Sequence, residues 1–276
     1  MDKIKILVAC HKPGPVYQDD IHLPIHVGRA VSKYKKEMAD MIGDDAGENI
    51  SEKNSRYCEL TAQFWAWKNL HNVEYVGFCH YQRYFKEQLV NQIPSILSRY
   101  DVVLIKETLW STLESNMVRY ITWEDVTIFM KVLKKHHPEY EDITLKYLYG
   151  NILYSKNMMI CRKKLFDEYA EWLFPLLAEC ENYIKPSSYS RGRRALAYLG
   201  EYFMAVYMLY HHCRIYETDV VGFPSEKKNM IKDKIKGFFR CFHHQTLYTC
   251  LRRPKTFEDY YCYPILQGLA ADHIEV

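Results

Sequence analysis

The chain has 276 residues, of which 48% are hydrophobic and 26% charged, a composition that excludes a disordered or fibrous protein. This length fits one large domain, or one domain with an appendage. The formal net charge of +3 is too small to indicate nucleic-acid binding, so no nucleic acid is expected as a partner.

The first predicted element is a strand over residues 4–9, which are nearly all apolar. It ends just before His11 and Lys12, where two prolines and a glycine force a loop. Residues 17–51 show little periodicity and are predicted to form a long irregular segment, of the kind that is usually functional or mobile.

A helix is predicted next, beginning where Asn54 or Ser55 can cap it and ending near Asn69. Apolar and aromatic residues recur along it at helical spacing. Glu59 lies beside this stripe, where it can face a ligand or simply favour the N-terminal end of the helix.

The stretch at 75–85 is the most informative of the chain. It begins in a predicted buried strand over 73–79 and changes abruptly to polar residues that include His80 and Arg83. A hydrophobic strand that ends in chargeable groups is how an α/β protein presents chemistry at the carboxyl edge of its sheet. The alternative is a strand followed by an ordinary amphipathic loop.

The later elements are predicted strands at 100–105, 158–161 and 214–220 and predicted helices at 123–135, 164–179 and 195–211. Strands and helices in this order predict an α/β fold with a mostly parallel central sheet flanked by helices. Glu201 interrupts an apolar run in the last of these helices. A carboxylate is costly to bury there without a purpose or a partner.

The C-terminal segment differs in character. Between residues 227 and 255 nine Lys and Arg residues stand against one acidic residue, Asp233, with isoleucines and phenylalanines interleaved. Such a segment can lie on an anionic membrane surface, or it can be a packed terminal helix with solvated lysines. We therefore divide the chain into a domain over 1–225 and a basic aromatic extension over 226–276.

Four segments together resemble one family: 49–61, 76–85, 150–160 and 194–202. In this order they are similar to the bacterial capsular and exopolysaccharide proteins grouped as domain of unknown function 4422, also classed as glycosyltransferase family 111. The resemblance covers roughly residues 3–225. It implies a nucleotide-sugar-binding fold of the GT-A type and the transfer of galactofuranose from UDP-galactofuranose.

The chain departs from the family's pattern at one important place. The family's edge motif usually reads His-Tyr-Arg-Arg-Tyr, and here Gln82 replaces the first arginine. Arg83 is then the single guanidinium at this edge, which puts a role for two arginines in doubt. The family's late helix often reads Glu-Arg, whereas Glu201 is followed here by Tyr202.

Transfer from a UDP-sugar requires neutralisation of the diphosphate leaving group. The predicted donor-binding residues are His11, Lys12, Asn54, Glu59, His80, Arg83, Asn157 and Arg194. A typical GT-A enzyme holds a divalent metal with Asp-x-Asp, and this chain has His80-Tyr81-Gln82 where that motif is expected.

Imidazole and guanidinium groups can bind phosphate oxygens directly, so we predict that no metal cofactor is needed. Mn²⁺ or Mg²⁺ is the alternative, with Asp19-Asp20 and Asp44-Asp45 as the available acidic pairs.

An inverting transfer also needs a base near the acceptor hydroxyl, and we assign that role to Glu201. The alternative for Glu201 is a structural ion pair with Arg194. Glu59 and Asp125 are weaker candidates for the base.

We expect a lipid-linked oligosaccharide acceptor, a peripheral membrane contact and a cytoplasmic location at the inner face of the membrane. The chain shows no signal peptide, no run of about 18 apolar residues and no paired spacing of its cysteines. Two alternatives to galactofuranose transfer remain open: a transferase that uses another UDP-sugar such as UDP-galactopyranose, and a non-catalytic factor in polysaccharide assembly.

Overall fold

A computed structural model describes residues 3–223, 230–248, 254–261 and 263–276. Its strands are β1 (Ile4–Cys10), β2 (His22–His26), β3 (Ile42–Gly43), β4 (Tyr75–His80), β5 (Arg83–Tyr84), β6 (Val102–Thr108), β7 (Ile152–Arg162), β8 (Ile215–Thr218) and β9 (Val221–Gly222). The first helices are α1 (Asn54–Tyr57), α2 (Leu60–Asn69), α3 (Glu87–Val90), α4 (Ile93–Ile96), α5 (Leu113–Met117) and α6 (Trp123–His136). The later ones are α7 (Glu141–Leu148), α8 (Lys163–Tyr183), α9 (Ala195–Tyr210), α10 (Met230–Tyr248), α11 (Phe257–Tyr260) and α12 (Tyr263–Ala271).

The strands form one sheet in the order β3-β2-β1-β4-β7-β6-β8, with β5 beside β4 and β9 beside β5. The pairs β1–β2, β2–β3, β1–β4 and β6–β8 are parallel, whereas β7 runs antiparallel to β4. The prediction of an α/β fold with a mostly parallel sheet flanked by helices is confirmed.

β1 and β4 are adjacent in the sheet, and both are mostly apolar and mostly buried. Gly77 of β4 lies so close to Ile6 and Ile160 that an added Cβ would come within 3.0 Å of each side chain. Its lack of a side chain therefore permits the close packing of β1, β4 and β7 at the centre of the sheet.

The chain separates into two compact units. The first comprises Met1–Lys106, Tyr154–Trp172 and His212–Lys227, and the second comprises Glu107–Leu153, Leu173–His211 and Lys228–Val276. The core of the second unit includes Phe129 and Phe203, whose ring centroids are 3.8 Å apart. The proposed boundary near residue 225 stays a prediction.

Three expectations about local structure are corrected. Residues 17–51 include β2 and β3 and are not wholly irregular. The helix expected from Asn54 to Asn69 is broken at Cys58, whose φ of 48° is left-handed, and neither Asn54 nor Ser55 caps its start. The strand expected at 158–161 is the end of the 11-residue β7.

Candidate functional site

The carboxyl ends of β1 and β4 lie side by side. Ala9 pairs with His80 in the parallel register, so His11 and Lys12 follow β1 at the edge where His80 ends β4. The His11 ring meets the Tyr81 ring edge-on, with 5.5 Å between centroids. His11 and Lys12 are exposed, and His80 is partly buried. The structure thus places three of the predicted donor-binding residues along one edge of the sheet.

Arg83 reaches the same edge through a tight hairpin. Tyr81 and Gln82 form the turn between β4 and β5, and Arg83 lies opposite His80 in the antiparallel pair. The Gln82 carbonyl accepts a hydrogen bond from the backbone N–H of Phe223 at 3.0 Å. Both Gln82 and Arg83 are exposed, so the departure from the family motif falls on a solvent-facing side chain.

The neighbouring strand β7 changes direction at this edge. Lys156 and Asn157 have φ values of 73° and 51°, a conformation that is unfavourable for most residues other than glycine and asparagine. Side chains from other elements bind the carbonyls at this point. His80 Nε2 lies 2.8 Å from the Lys156 oxygen, and Gln63 Nε2 donates to the Asn157 oxygen at 2.9 Å.

The bond to Lys156 defines the protonation of the His80 ring. A carbonyl oxygen only accepts hydrogen bonds, so Nε2 must carry a proton. Nδ1 is therefore the ring nitrogen that can face a ligand. It accepts a hydrogen bond in the neutral ring and donates one in the imidazolium, the form that suits a phosphate oxygen.

Glu59 and Asn157 form a second pair in this unit. Asn157 Nδ2 donates to Glu59 Oε1 at 2.7 Å, and Asn157 is buried whereas Glu59 is partly exposed. Glu59 follows directly after the break at Cys58. The break is stabilised by Asn54, whose Nδ2 donates to the Cys58 carbonyl at 2.8 Å and to Thr61 Oγ1 at 3.2 Å.

Asn54 therefore contributes to the position of Glu59, and its own contact with a donor stays a prediction.

Two of the four acidic residues considered as metal ligands bind the backbone instead. The buried Asp44 carboxylate accepts hydrogen bonds from the N–H groups of Gly28 and Arg29 at 2.7 and 3.1 Å, and also from the Ser51 hydroxyl. Asp19 accepts hydrogen bonds from the backbone and the ring of His22. These bonds give both carboxylates a structural role.

Within the part of the chain that the structure describes, no group of three or more His, Cys, Asp or Glu side chains is arranged to hold a metal ion. This does not decide metal dependence, because Mg²⁺ is often bound by one or two carboxylates together with substrate phosphates. The independence from metal stays a prediction.

Arg194 and Glu201 belong to the second unit. Arg194 is exposed at the end of the short 3₁₀ turn Gly192–Arg194, directly before α9. Glu201 is only partly buried and lies one turn from Tyr198, which is also partly exposed, so the two share the more accessible face of α9. The Glu201 side chain is therefore not fully buried, and its role as base stays a prediction.

Sequence reasoning missed two residues of the sheet edge. Gln63 stands among the apolar residues of α2, and it is 94 positions in the sequence from the carbonyl that it binds. No local pattern therefore indicates its role. Lys156 was within a recognised segment but was given no role. The Lys156-Asn157 pair carried a usable signal, because asparagine inside a strand pattern favours a left-handed residue.

A further polar group joins three strands of the first unit. Glu217 of β8 accepts hydrogen bonds from Tyr154 Oη at 2.8 Å and from Lys106 Nζ at 2.6 Å. Burial raises the pKa of Tyr154, which therefore remains a hydrogen-bond donor. These contacts join β6, β7 and β8 within the sheet.

The fold is similar to part of a solved glycosyltransferase structure. The structure of the WbbM bifunctional glycosyltransferase, in its apo form, aligns with 82% of this chain at a TM-score of 0.72 and 26% sequence identity. The aligned part is 46% of that protein, so the chain spans about half the length of the structure that it matches.

Residues 5–212 match the model of the family described as Domain of unknown function (DUF4422), and the chain belongs to that family. The expected family membership is confirmed. No protein with a curated description matches the sequence significantly. In the described residues, no helix is both long and apolar enough to cross a membrane.

Proposed function

We propose that this protein is a glycosyltransferase of cell-surface polysaccharide biosynthesis that transfers galactofuranose from UDP-galactofuranose to a glycan acceptor. The observation that carries the proposal is the match of 82% of the chain to a glycosyltransferase structure. Because one fold can host unrelated reactions, the proposal also needs a site with suitable chemistry. The choice of galactofuranose rests on the resemblance of the four sequence segments to the family.

The sheet edge supplies the cationic groups that a diphosphate leaving group needs. His11, Lys12, His80 and Arg83 lie at the ends of adjacent strands, and the backbone of Lys156 lies beside them because its carbonyl bonds to His80. Positively charged donors stabilise the negative charge that develops on the leaving oxygen. In this proposal the side chains bind the diphosphate directly, without a metal ion.

Glu59 is suited to binding hydroxyl groups of the donor. A carboxylate accepts hydrogen bonds from ribose or sugar hydroxyls, and the bond from Asn157 orients one of its oxygens. A carboxylate held in this way loses little conformational freedom when a ligand binds. We assign Glu59 and Asn157 to donor orientation.

We retain Glu201 as the base that deprotonates the acceptor in an inverting reaction. Arg194 is retained as a cation that binds the donor. An inverting reaction requires the acceptor hydroxyl to lose its proton as the anomeric carbon is attacked. The proposed acceptor is a lipid-linked oligosaccharide at the cytoplasmic face of the membrane.

The test combines UDP binding with a donor screen. A ligand that binds only the folded state raises the melting temperature, so UDP should stabilise the protein. His80→Gln retains a donor for the Lys156 carbonyl but removes the imidazole, and it should weaken UDP binding about tenfold. His71→Ala, an exposed histidine between α2 and β4, is the matched control and should bind UDP normally.

The donor screen measures UDP release from several UDP-sugars in excess chelator, with a galactoside-capped lipid as acceptor. UDP-galactofuranose should be the best donor, and Glu201→Gln should abolish release while leaving UDP binding intact. Release from UDP-galactopyranose alone would replace the proposed donor. Loss of activity in chelator would reject the metal-free reaction. If UDP neither stabilises the protein nor is released, the result would favour the non-catalytic factor.

A further inference from the structure

The side of helix α10 that contacts the rest of the second unit consists of small and polar residues. A Cβ added to Gly237 would lie 3.9 Å from Thr108 Oγ1, and Arg240 donates to the Thr108 carbonyl at 2.8 Å. His244, which is buried, bonds through Nε2 to the Tyr149 carbonyl at 3.0 Å. Positions 237, 240 and 244 lie on one face of a helix, so this face is the one that packs against the second unit.

The opposite face of α10 is apolar and exposed. Ile235, Phe238, Phe239 and Phe242 have exposed fractions of 52%, 70%, 55% and 58%. Their spacing follows the pattern i, i+3, i+4, i+7, which places them in one stripe. An ordinary surface helix buries its apolar stripe and exposes its polar one, whereas α10 does the reverse. We call these four residues the aromatic face.

Basic residues accompany the aromatic face. Lys236 is exposed beside it, and Lys232 and Lys234 belong to the same helix. The basic residues Lys227, Lys228, Arg252 and Arg253 flank α10 in the sequence and lie outside the described residues. From 227 to 255 only Asp233 is acidic. An apolar stripe with an excess of positive charge fits a lipid surface, in which anionic headgroups cover an apolar interior.

We propose that α10 binds flat on an anionic membrane surface, with the aromatic face inserted at the boundary between headgroups and acyl chains. The helix carries too much charge to cross the bilayer, and no described helix qualifies as a membrane span. Lys236 binds the anionic headgroups. This inference goes beyond the proposed transfer reaction and does not depend on it.

Vesicle co-sedimentation of the full chain tests the proposal. Wild type should sediment with vesicles of phosphatidylcholine containing about 30% phosphatidylglycerol and stay in solution with phosphatidylcholine alone. The variant Phe238→Ser/Phe239→Ser/Phe242→Ser should bind the anionic vesicles at least about tenfold more weakly. Tyr189→Ser, which changes an aromatic residue that is 82% exposed in another part of the second unit, is the matched control and should bind like wild type.

A charge-reversal variant measures the contribution of the basic residues separately from that of the aromatic face. Lys236→Glu should weaken vesicle binding about fivefold or more, and added salt should reduce the difference. Wild type that stays in solution with anionic vesicles, or a triple variant that binds them normally, would overturn the proposal. A wild-type dimer that the triple variant converts to a monomer, without vesicle binding, would assign the aromatic face to a second copy of the chain.

The melting temperature and the UDP stabilisation of the triple variant should equal those of wild type, because the substituted side chains are exposed. A failure of the transfer reaction and a failure of membrane binding are therefore distinguishable.

Discussion

The sheet edge around His80 and the aromatic face of α10 differ in how their side chains are stabilised. At the sheet edge, side chains bind the chain's own backbone, as His80 and Gln63 do at the two left-handed residues of β7. On α10, large apolar side chains are exposed. Hydrogen bonds within the chain organise the first region, whereas the second leaves more than half of each of its four large apolar side chains exposed.

This difference has an energetic consequence. Substitutions that remove a hydrogen bond of the sheet edge should lower stability, because those bonds hold the chain's own backbone. Substitutions on the aromatic face should alter only association. Three measurements can break or sharpen this contrast.

The largest difference should separate a buried from an exposed phenylalanine of the second unit. Phe129→Ala should lower the free energy of unfolding by about 3–5 kcal/mol, because Phe129 is fully buried against Phe203. Phe238→Ala should change it by less than about 0.5 kcal/mol. Urea denaturation measures both values. A cost above about 1 kcal/mol for Phe238→Ala would mean that the aromatic face packs within the fold.

At the sheet edge, Gln63→Leu should lower the free energy of unfolding by about 1–3 kcal/mol, because it leaves the Asn157 carbonyl without its donor. The same urea titration measures it. Thr127→Val is the matched control: the Thr127 hydroxyl is buried and has no hydrogen-bond partner among the described residues. That substitution should be neutral or stabilising, and an unchanged stability of Gln63→Leu would show that the β7 bend does not need the amide.

The smallest effect concerns Lys156. Asparagine accepts a left-handed backbone readily, so Lys156→Asn should leave the melting temperature unchanged while removing the ammonium group. UDP affinity should fall about fivefold, which calorimetric titration can resolve. Lys164→Gln, a change at a side chain that is 88% exposed on α8, should have no effect. Equal affinities for wild type and Lys156→Asn would remove Lys156 from the site.

The sequence predicted the elements in which local signals agree. β1 and β4 are mostly apolar runs, and the end of α6 was predicted to within one residue because His137 precedes a proline. Its start has a capping box between Thr122 and Asp125. β2 was missed because Pro24 and two histidines interrupt its apolar pattern, although it is mostly buried.

The candidate site was predictable only in part. The position of His80 and Arg83 at a strand end followed from the change from apolar to polar residues. The pairing of Glu59 with Asn157 did not, because it joins residues 98 positions apart and depends on a broken helix and a bent strand. Contacts of this range leave no periodic pattern in a single sequence.

The hydrogen bond from His80 to Lys156 has a consequence for how charge can change at the sheet edge. Both the neutral ring with its proton on Nε2 and the imidazolium can donate to the Lys156 carbonyl. Gain or loss of the second proton therefore leaves the attachment of β4 to β7 intact. The charge of the ring can therefore change while the backbone beneath it stays in place.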